Sequence, residues 1–330
     1  LEQPRIVNGA STVNAKTISI PDGEPTFAGG ERCNDLAALN ADIAIIGVPY
    51  GVPYDMLGST SPSSPSPRMI REQSLTFGRF LTHYDYDFGG DLLANRTVRI
   101  VDCGDVAMQP GQYAENAAAT TAVIETILQH GAVPIVLGGD HSIPIPVMRA
   151  YAGTGDLCVV QIDAHLDWRD EINGVHQGLS SPMRRASELP FVKGMAQFGI
   201  RGVGSGRQQE VDNVRAFGSV VIGAAEIHRN GVDAALEKLP KADRYYVTLD
   251  MDGLDPSIAP GVNAPAFGGL TYFQTFDLLR GVAERGAIAG FDVVEIAPNQ
   301  DVRSLTSLLA ARLTLNLIGA MAHSGQIGHL

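Results

Sequence analysis

Eight apolar runs constrain the fold of this chain more than any other feature. They are Ile43–Pro49, Val98–Val106, Val133–Gly138, Leu157–Asp163, Gln197–Gly202, Ser219–Ala224, Tyr245–Asp250 and Ala289–Glu295. Most are continuous rather than alternating. A strand with one wet face alternates, whereas a strand covered on both faces does not. The runs therefore predict a parallel sheet with helices on either side. Ala114–His130, Gln208–Phe217, Val232–Leu239, Tyr272–Glu284 and Ser304–Ile318 read as those helices, with Gly131 set to end the first. Strand–helix–strand order calls for right-handed crossovers and a doubly wound α/β sheet. With 45% hydrophobic and 18% charged residues, a chain of 330 can build one large core. Residues 1–40 lack clear periodicity and read as an N-terminal arm with a first short helix; by length the chain suggests about two domains, although single α/β domains also run this long. Ser59–Pro67 is a Ser/Pro stretch that reads as a loop after the first strand.

The net charge of −12 argues against a nucleic-acid partner and weakly favours a cationic ligand. Cys33, Cys103 and Cys158 form no CxxC, and two of them lie inside apolar runs, which fits a reduced, cytoplasmic protein. No run reads as long enough to span a bilayer, and the first residues lack a signal-peptide layout, so no membrane partner is expected.

The chemistry concentrates where apolar runs end. Gly138-Gly139-Asp140-His141-Ser142, Asp163-Ala164-His165-Leu166-Asp167 and Asp250-Met251-Asp252 each close one run. Ligands of open α/β sheets bind beyond these carboxyl ends. In extended backbone, residues i and i+2 share a face, so Asp163, His165 and Asp167 can converge, as can Asp250 and Asp252, with Leu166 and Met251 turned to packing. Oxygen and imidazole donors without thiolate suit Mn²⁺, Zn²⁺, Fe²⁺, Co²⁺ or Ni²⁺. A lone DxD more often caps a loop. Three such pieces, each at a strand end, point to two divalent ions bridged by carboxylates.

These pieces, with Asp250–Pro256, Gly268-Gly269-Leu270-Thr271 and Asp292-Val293-Val294-Glu295, resemble the ureohydrolase family of arginases and agmatinases, from about residue 40 to the end. The resemblance implies a three-layer α/β/α sandwich with an eight-stranded parallel sheet, and makes 41–330 one catalytic domain. It implies two Mn²⁺ ions, with Ni²⁺ as the alternative. His141, Asp163, Asp167 and Asp250 match ligands of the first ion; Asp163, His165, Asp250 and Asp252 match those of the second. The implied reaction is attack of a metal-bridging hydroxide on a guanidinium carbon, releasing urea and an amine. In it Asp167 handles the proton, Glu295 grips the guanidinium, and His176 is a loop proton shuttle or substrate contact. His228 and His323 lack such context and read as structural. Homotrimers or hexamers are also implied.

The short loop Trp168–Val175 favours an agmatinase-like or guanidino-acid pocket over that of arginases. Arg169, Arg184 and Arg185 offer cations for a carboxylate tail or for ordinary surface pairing. Val262-Asn263-Ala264 and the Ser/Pro stretch depart from the family pattern beside the expected pocket. Free guanidine, an N-alkylated guanidine or a biguanide therefore remains an alternative to an agmatine-like substrate. A one-zinc deacetylase-like hydrolase, a degenerate regulatory subunit of a ureohydrolase complex, and a catalytic subunit that needs a homologous partner are the competing readings.

Overall fold

The computed structural model describes residues 18–20, 23–52, 54 and 61–330. Every apolar run coincides, wholly or in part, with a strand: β1 (Ile43–Val48), β2 (Ile100–Val106), β3 (Val133–Gly138), β4 (Leu157–Ile162), β5 (Val192–Ile200), β6 (Val220–Gly223), β7 (Arg244–Asp250) and β8 (Ala287–Val294). They pair in parallel in the order β2-β1-β3-β8-β7-β4-β5-β6. Two short strands, Ile18–Ser19 (antiparallel) and Glu31–Arg32 (parallel), extend the sheet beside β2. The described part of the 1–40 segment is thus bound to the sheet edge, with Phe27, Leu36 and Leu39 buried. Residues 1–17, 21 and 22 of the expected arm lie outside the described residues.

Continuous apolar strands feed two cores because successive side chains alternate. Ile43 and Ile45 of β1 enter one core; Ala44, Ile46 and Val48 enter the other. The first core is covered by α1 (Ser66–Gly78), α6 (Ala224–Leu236), α7 (Tyr272–Ala283) and α8 (Leu305–His323). The second is covered by α2 (Tyr113–Gln129), α3 (Pro144–Arg149), α4 (Pro182–Ser187) and α5 (Gln208–Phe217). The result is the expected three-layer sandwich.

Several expectations need correction. Ser66 and Pro67 belong to helix α1, not to a loop; proline is tolerated in a first turn because its missing N–H has no acceptor there. Ser59 and Thr60 of that stretch lie outside the described residues. Helix α6 starts at Ala224, before the expected Val232, and is kinked at Gly231 (φ 84°), which hid its first half from a periodicity reading. Strand β5 begins at Val192, before its apolar run, and releases Arg201 and Gly202. Helix α8 runs on to His323 and is by length and composition apolar enough to cross a membrane, contrary to the expectation that no segment is. It is a core helix, with 78% of its most apolar stretch buried inside the fold.

Candidate metal centre

The central strands β3, β8, β7 and β4 end side by side and each delivers part of one cluster. After β3, Gly139 lets the chain press against the loop that follows β1: a Cβ there would lie 1.9 Å from the Tyr50 carbonyl oxygen. Asp140 holds the turn, accepting from Val52 N at 2.9 Å and Ser142 N at 3.0 Å. This leaves His141 directed into the cluster.

The convergence within the other motifs does not come from strand alternation. Strand β4 stops at Ile162, and Asp163 Oδ1 accepts from His165 N in a tight turn. Asp167 then takes φ 49°, a left-handed state that its carbonyl helps fix by accepting from Met183 N at 3.1 Å at the start of α4. Likewise Asp250 caps a one-turn 3₁₀ helix, Met251–Gly253, accepting from Asp252 N at 2.8 Å. Capped turns bring the carboxylates together where extended backbone was expected to. Leu166 and Met251 are buried in the two cores, as read from the sequence.

His141 Nδ1 lies 2.7 Å from Asp167 Oδ2 and 3.1 Å from both Asp163 Oδ2 and Asp250 Oδ2. His165 Nδ1 lies 3.1 Å from Asp252 Oδ2 and 3.4 Å from Asp163 Oδ1. Two donor groups result, His141/Asp163/Asp250 and Asp163/His165/Asp252, each with its atoms within 4.8 Å of one another. Asp163 belongs to both, one oxygen toward each histidine. His141 Nδ1 and Asp167 Oδ2 are buried and make no hydrogen bond of acceptable geometry, despite their proximity. Buried polar atoms are rarely left so. Buried nitrogen and oxygen donors gathered this closely without hydrogen bonds fit a cation held among them.

The charges agree. Burial pushes the Asp167 carboxyl up to about 7, and the Asp163 charge adds to this against the pull of His141. Burial and neighbouring carboxylates also raise Asp250 and Asp252. Burial alone would lower His141 and His165, but the carboxylates outweigh it, lifting His141 well above its usual value and His165 to about 12. Crowded carboxylates must take up protons or cations, and the oxygen and imidazole donor set suits divalent ions.

Outer residues, missed from sequence, orient these donors. His141 Nε2 is 2.9 Å from Thr248 Oγ1, which donates to Asp292 Oδ1 at 2.6 Å, while Tyr246 donates to the other Asp292 oxygen. Gln161 Nε2 donates to Asp163 Oδ2 at 2.5 Å, Gln197 Nε2 donates to Gln161 Oε1 at 2.6 Å, and Ser219 Oγ donates to Gln197 Oε1 at 3.0 Å. The available signal was polarity: Gln161, Gln197, Thr248 and Asp292 interrupt apolar runs yet are fully buried.

Glu295, just past β8, reaches the rim of the cluster with φ 65°. Its Oε1 accepts from His141 N at 2.8 Å and its Oε2 from Asn263 Nδ2 at 3.2 Å. Burial and the Asp140 charge push its carboxyl up to about 8. His176 is apart from these groups: it is exposed on the loop after Asp167, its Nδ1 3.0 Å from Asp170 O. Tyr54, unflagged in the sequence, closes over that loop, its hydroxyl accepting from Ser180 N at 2.8 Å. Arg169 pairs with Glu210, Arg184 with Glu188, and Arg185 with Asp170 and Glu188. His228 bonds Gly269 O and His323 bonds Asp91 O and stacks on Phe88, both structural as expected.

Residues 41–319 match the sequence profile of the arginase family. The chain is 31% identical over 273 residues to an agmatinase of Blochmanniella floridana, covering 81% of this chain and 86% of that one. It is 32% identical over 310 residues to a guanidinopropionase of Pseudomonas aeruginosa, covering 92% and 93%. Its structure resembles proclavaminate amidino hydrolase from Streptomyces clavuligerus, with a TM-score of 0.78, 28% identity and coverage of 94% and 99%. Enzymes of this kind use a binuclear divalent metal centre, the kind of site for which the His/Asp clusters are arranged. A profile match over most of the length, and relatives aligned almost end to end, lead to one conclusion: the chain belongs to the arginase family.

Proposed function

We propose that this protein hydrolyses the guanidino C–N bond of an agmatine-like compound, releasing urea and an amine. The observation that carries the reading is the pair of donor groups sharing Asp163, with the buried His141 Nδ1 and Asp167 Oδ2 left without hydrogen bonds at the first of them. In it His141, Asp163, Asp167 and Asp250 hold one divalent ion, and Asp163, His165, Asp250 and Asp252 the other. Mn²⁺ is the expected metal and Ni²⁺ the alternative. Such ions, when bound, offset the carboxylates and allow water to ionise near neutral pH.

The chain's own residues do the rest. Glu295 accepts N–H bonds from the guanidinium and fixes its plane over the cluster. Asp167 takes the proton that the attacking water gives up and passes it to the leaving nitrogen, its Oδ2 lying at the cluster beside His141 Nδ1. His176, exposed on the loop that carries Asp167, exchanges protons with solvent or touches the substrate tail.

An agmatine-like tail is favoured over a carboxylate because Arg169, Arg184 and Arg185 are already paired with acids. The guanidinopropionase similarity keeps guanidino acids as the second reading. A trimer or hexamer belongs to the proposal, supported by the exposed aromatic side chains of Phe80, Tyr84 and Tyr86, as does a cytoplasmic setting, supported by three free cysteines.

The test is a urea-release screen over agmatine, arginine, guanidino acids, guanidine and alkylguanidines, with Mn²⁺ and with Ni²⁺. Urea from agmatine supports the reading. One tightly bound zinc per chain, with no urea from any compound, would sink it.

A further inference from the structure

Asn263 is exposed at the rim of the site, yet its amide is committed on every side. Nδ2 donates to Ser63 Oγ at 3.0 Å and to Glu295 Oε2 at 3.2 Å, and Oδ1 accepts from Gln300 Nε2 at 3.2 Å. The partners come from three separate segments: the lead-in to α1, the end of β8 and the turn Pro298–Gln300. Water would satisfy an exposed amide equally well, so its own stability does not require these bonds. Glu295 is the opposite case. It is only 6% exposed, and its Oε1 is already held by His141 N. The Asn263 N–H fixes the second oxygen and, with it, the plane of the carboxylate.

We propose that Asn263 is a positioning residue, whose amide sets the carboxylate plane of Glu295 before a guanidinium arrives. The proposal rests on the reading of Glu295 as the group that grips the substrate. A planar cation pairs well with a carboxylate only when the two share a plane. A carboxylate left to rotate must be ordered at binding, and that ordering weakens affinity. Each carboxylate oxygen can accept two bonds, so one site on each stays open to the substrate.

Asn263→Asp and Asn263→Ala separate donation from shape, because aspartate keeps the size but offers oxygen where the N–H was. Both are compared with the wild type on whichever guanidino compound the Mn²⁺-loaded wild type converts to urea. KM should rise about 10- to 100-fold in both variants, the loss expected for one hydrogen bond to a charged group. The kcat should stay within a few fold, with Mn²⁺ content and Tm unchanged. A wild-type KM in Asn263→Asp would overturn the proposal, since shape alone would then suffice. A fall in kcat at constant KM in both variants would overturn it equally. Failure of the wild type to release urea from any guanidino compound is a different result: it removes the reading of Glu295, and this inference with it.

Discussion

Positive φ at a non-glycine residue costs on the order of 1–2 kcal/mol, and Asp167 and Glu295 both adopt it. Each is held there by its neighbours: the Asp167 carbonyl by the first turn of α4, and the Glu295 carboxylate by His141 N and Asn263. Strain retained at two carboxylates facing one cluster fits residues whose geometry matters to function. Exchanging Asp250 for Asn removes a charge from the centre; Mn²⁺ content per chain and urea release should both fall by at least about tenfold, as read by metal analysis and initial rates. Exchanging Glu295 for Ala should leave the metal content intact and lower kcat/KM by about 100-fold or more; unchanged kinetics would remove Glu295 from the account. At this scale the ligand types were legible because each motif is short and local in sequence. The turns that aim them were not: φ at Asp167, the 3₁₀ cap by Asp250 and the Asn263–Glu295 bond, which joins residues 32 apart in sequence, depend on tertiary contacts.

Among the elements, the strands carry more than packing. Across β4 and β5, Gln161 and Gln197 form a directional chain of amides that starts at Ser219 and ends on Asp163. Replacing Gln161 with Leu keeps the volume but removes the donor to Asp163. Mn²⁺ affinity should drop about 10- to 100-fold, the usual loss when a residue behind a metal ligand is removed; an unchanged Mn²⁺ binding isotherm would rule the role out. At the end of β5, Arg201 donates to the carbonyls of Asp252, Gly253, Leu254 and Ala266, tying the turn that bears Asp252 to the next loop. Arg201→Met should lower stability by about 2–4 kcal/mol, measured by denaturant unfolding, because several carbonyls lose their donor. Long apolar runs announced every main strand. Helix α1, the short helices α3 and α4 and the first half of α6 escaped notice: α1 begins inside the Ser/Pro stretch, six residues cannot display a helical period, and Gly231 splits the pattern of α6.

For the whole molecule, the sheet order sets the consequence. Placing β8 and β7 between β3 and β4 gathers the acids of distant segments at one sheet edge. Order of that kind is invisible to periodicity, which is why the family resemblance, not the apolar pattern, assigned the ligands to two ions. The concentration of charge also predicts how stability varies with pH. Without metal, Asp167 titrates near 7 and Glu295 near 8, both raised by burial above the usual carboxyl range near 4. Between those limits the folded chain binds more protons than the unfolded one, so stability of the metal-free protein falls as pH rises from about 4 to 8. Thermal melts in chelator should show Tm falling across that window, whereas excess Mn²⁺ should raise Tm most at its upper end. A Tm that climbs with pH in chelator would contradict this charge balance.

On the proposed reading, two divalent ions sharing Asp163 make this chain a guanidino hydrolase. Titrating Mn²⁺ into chelator-stripped protein while recording urea release from agmatine tests it most directly. No urea is expected before metal is added, and the rate should saturate at two ions per chain. Saturation at one ion, or no urea from agmatine or any other guanidino compound at full occupancy, would contradict it.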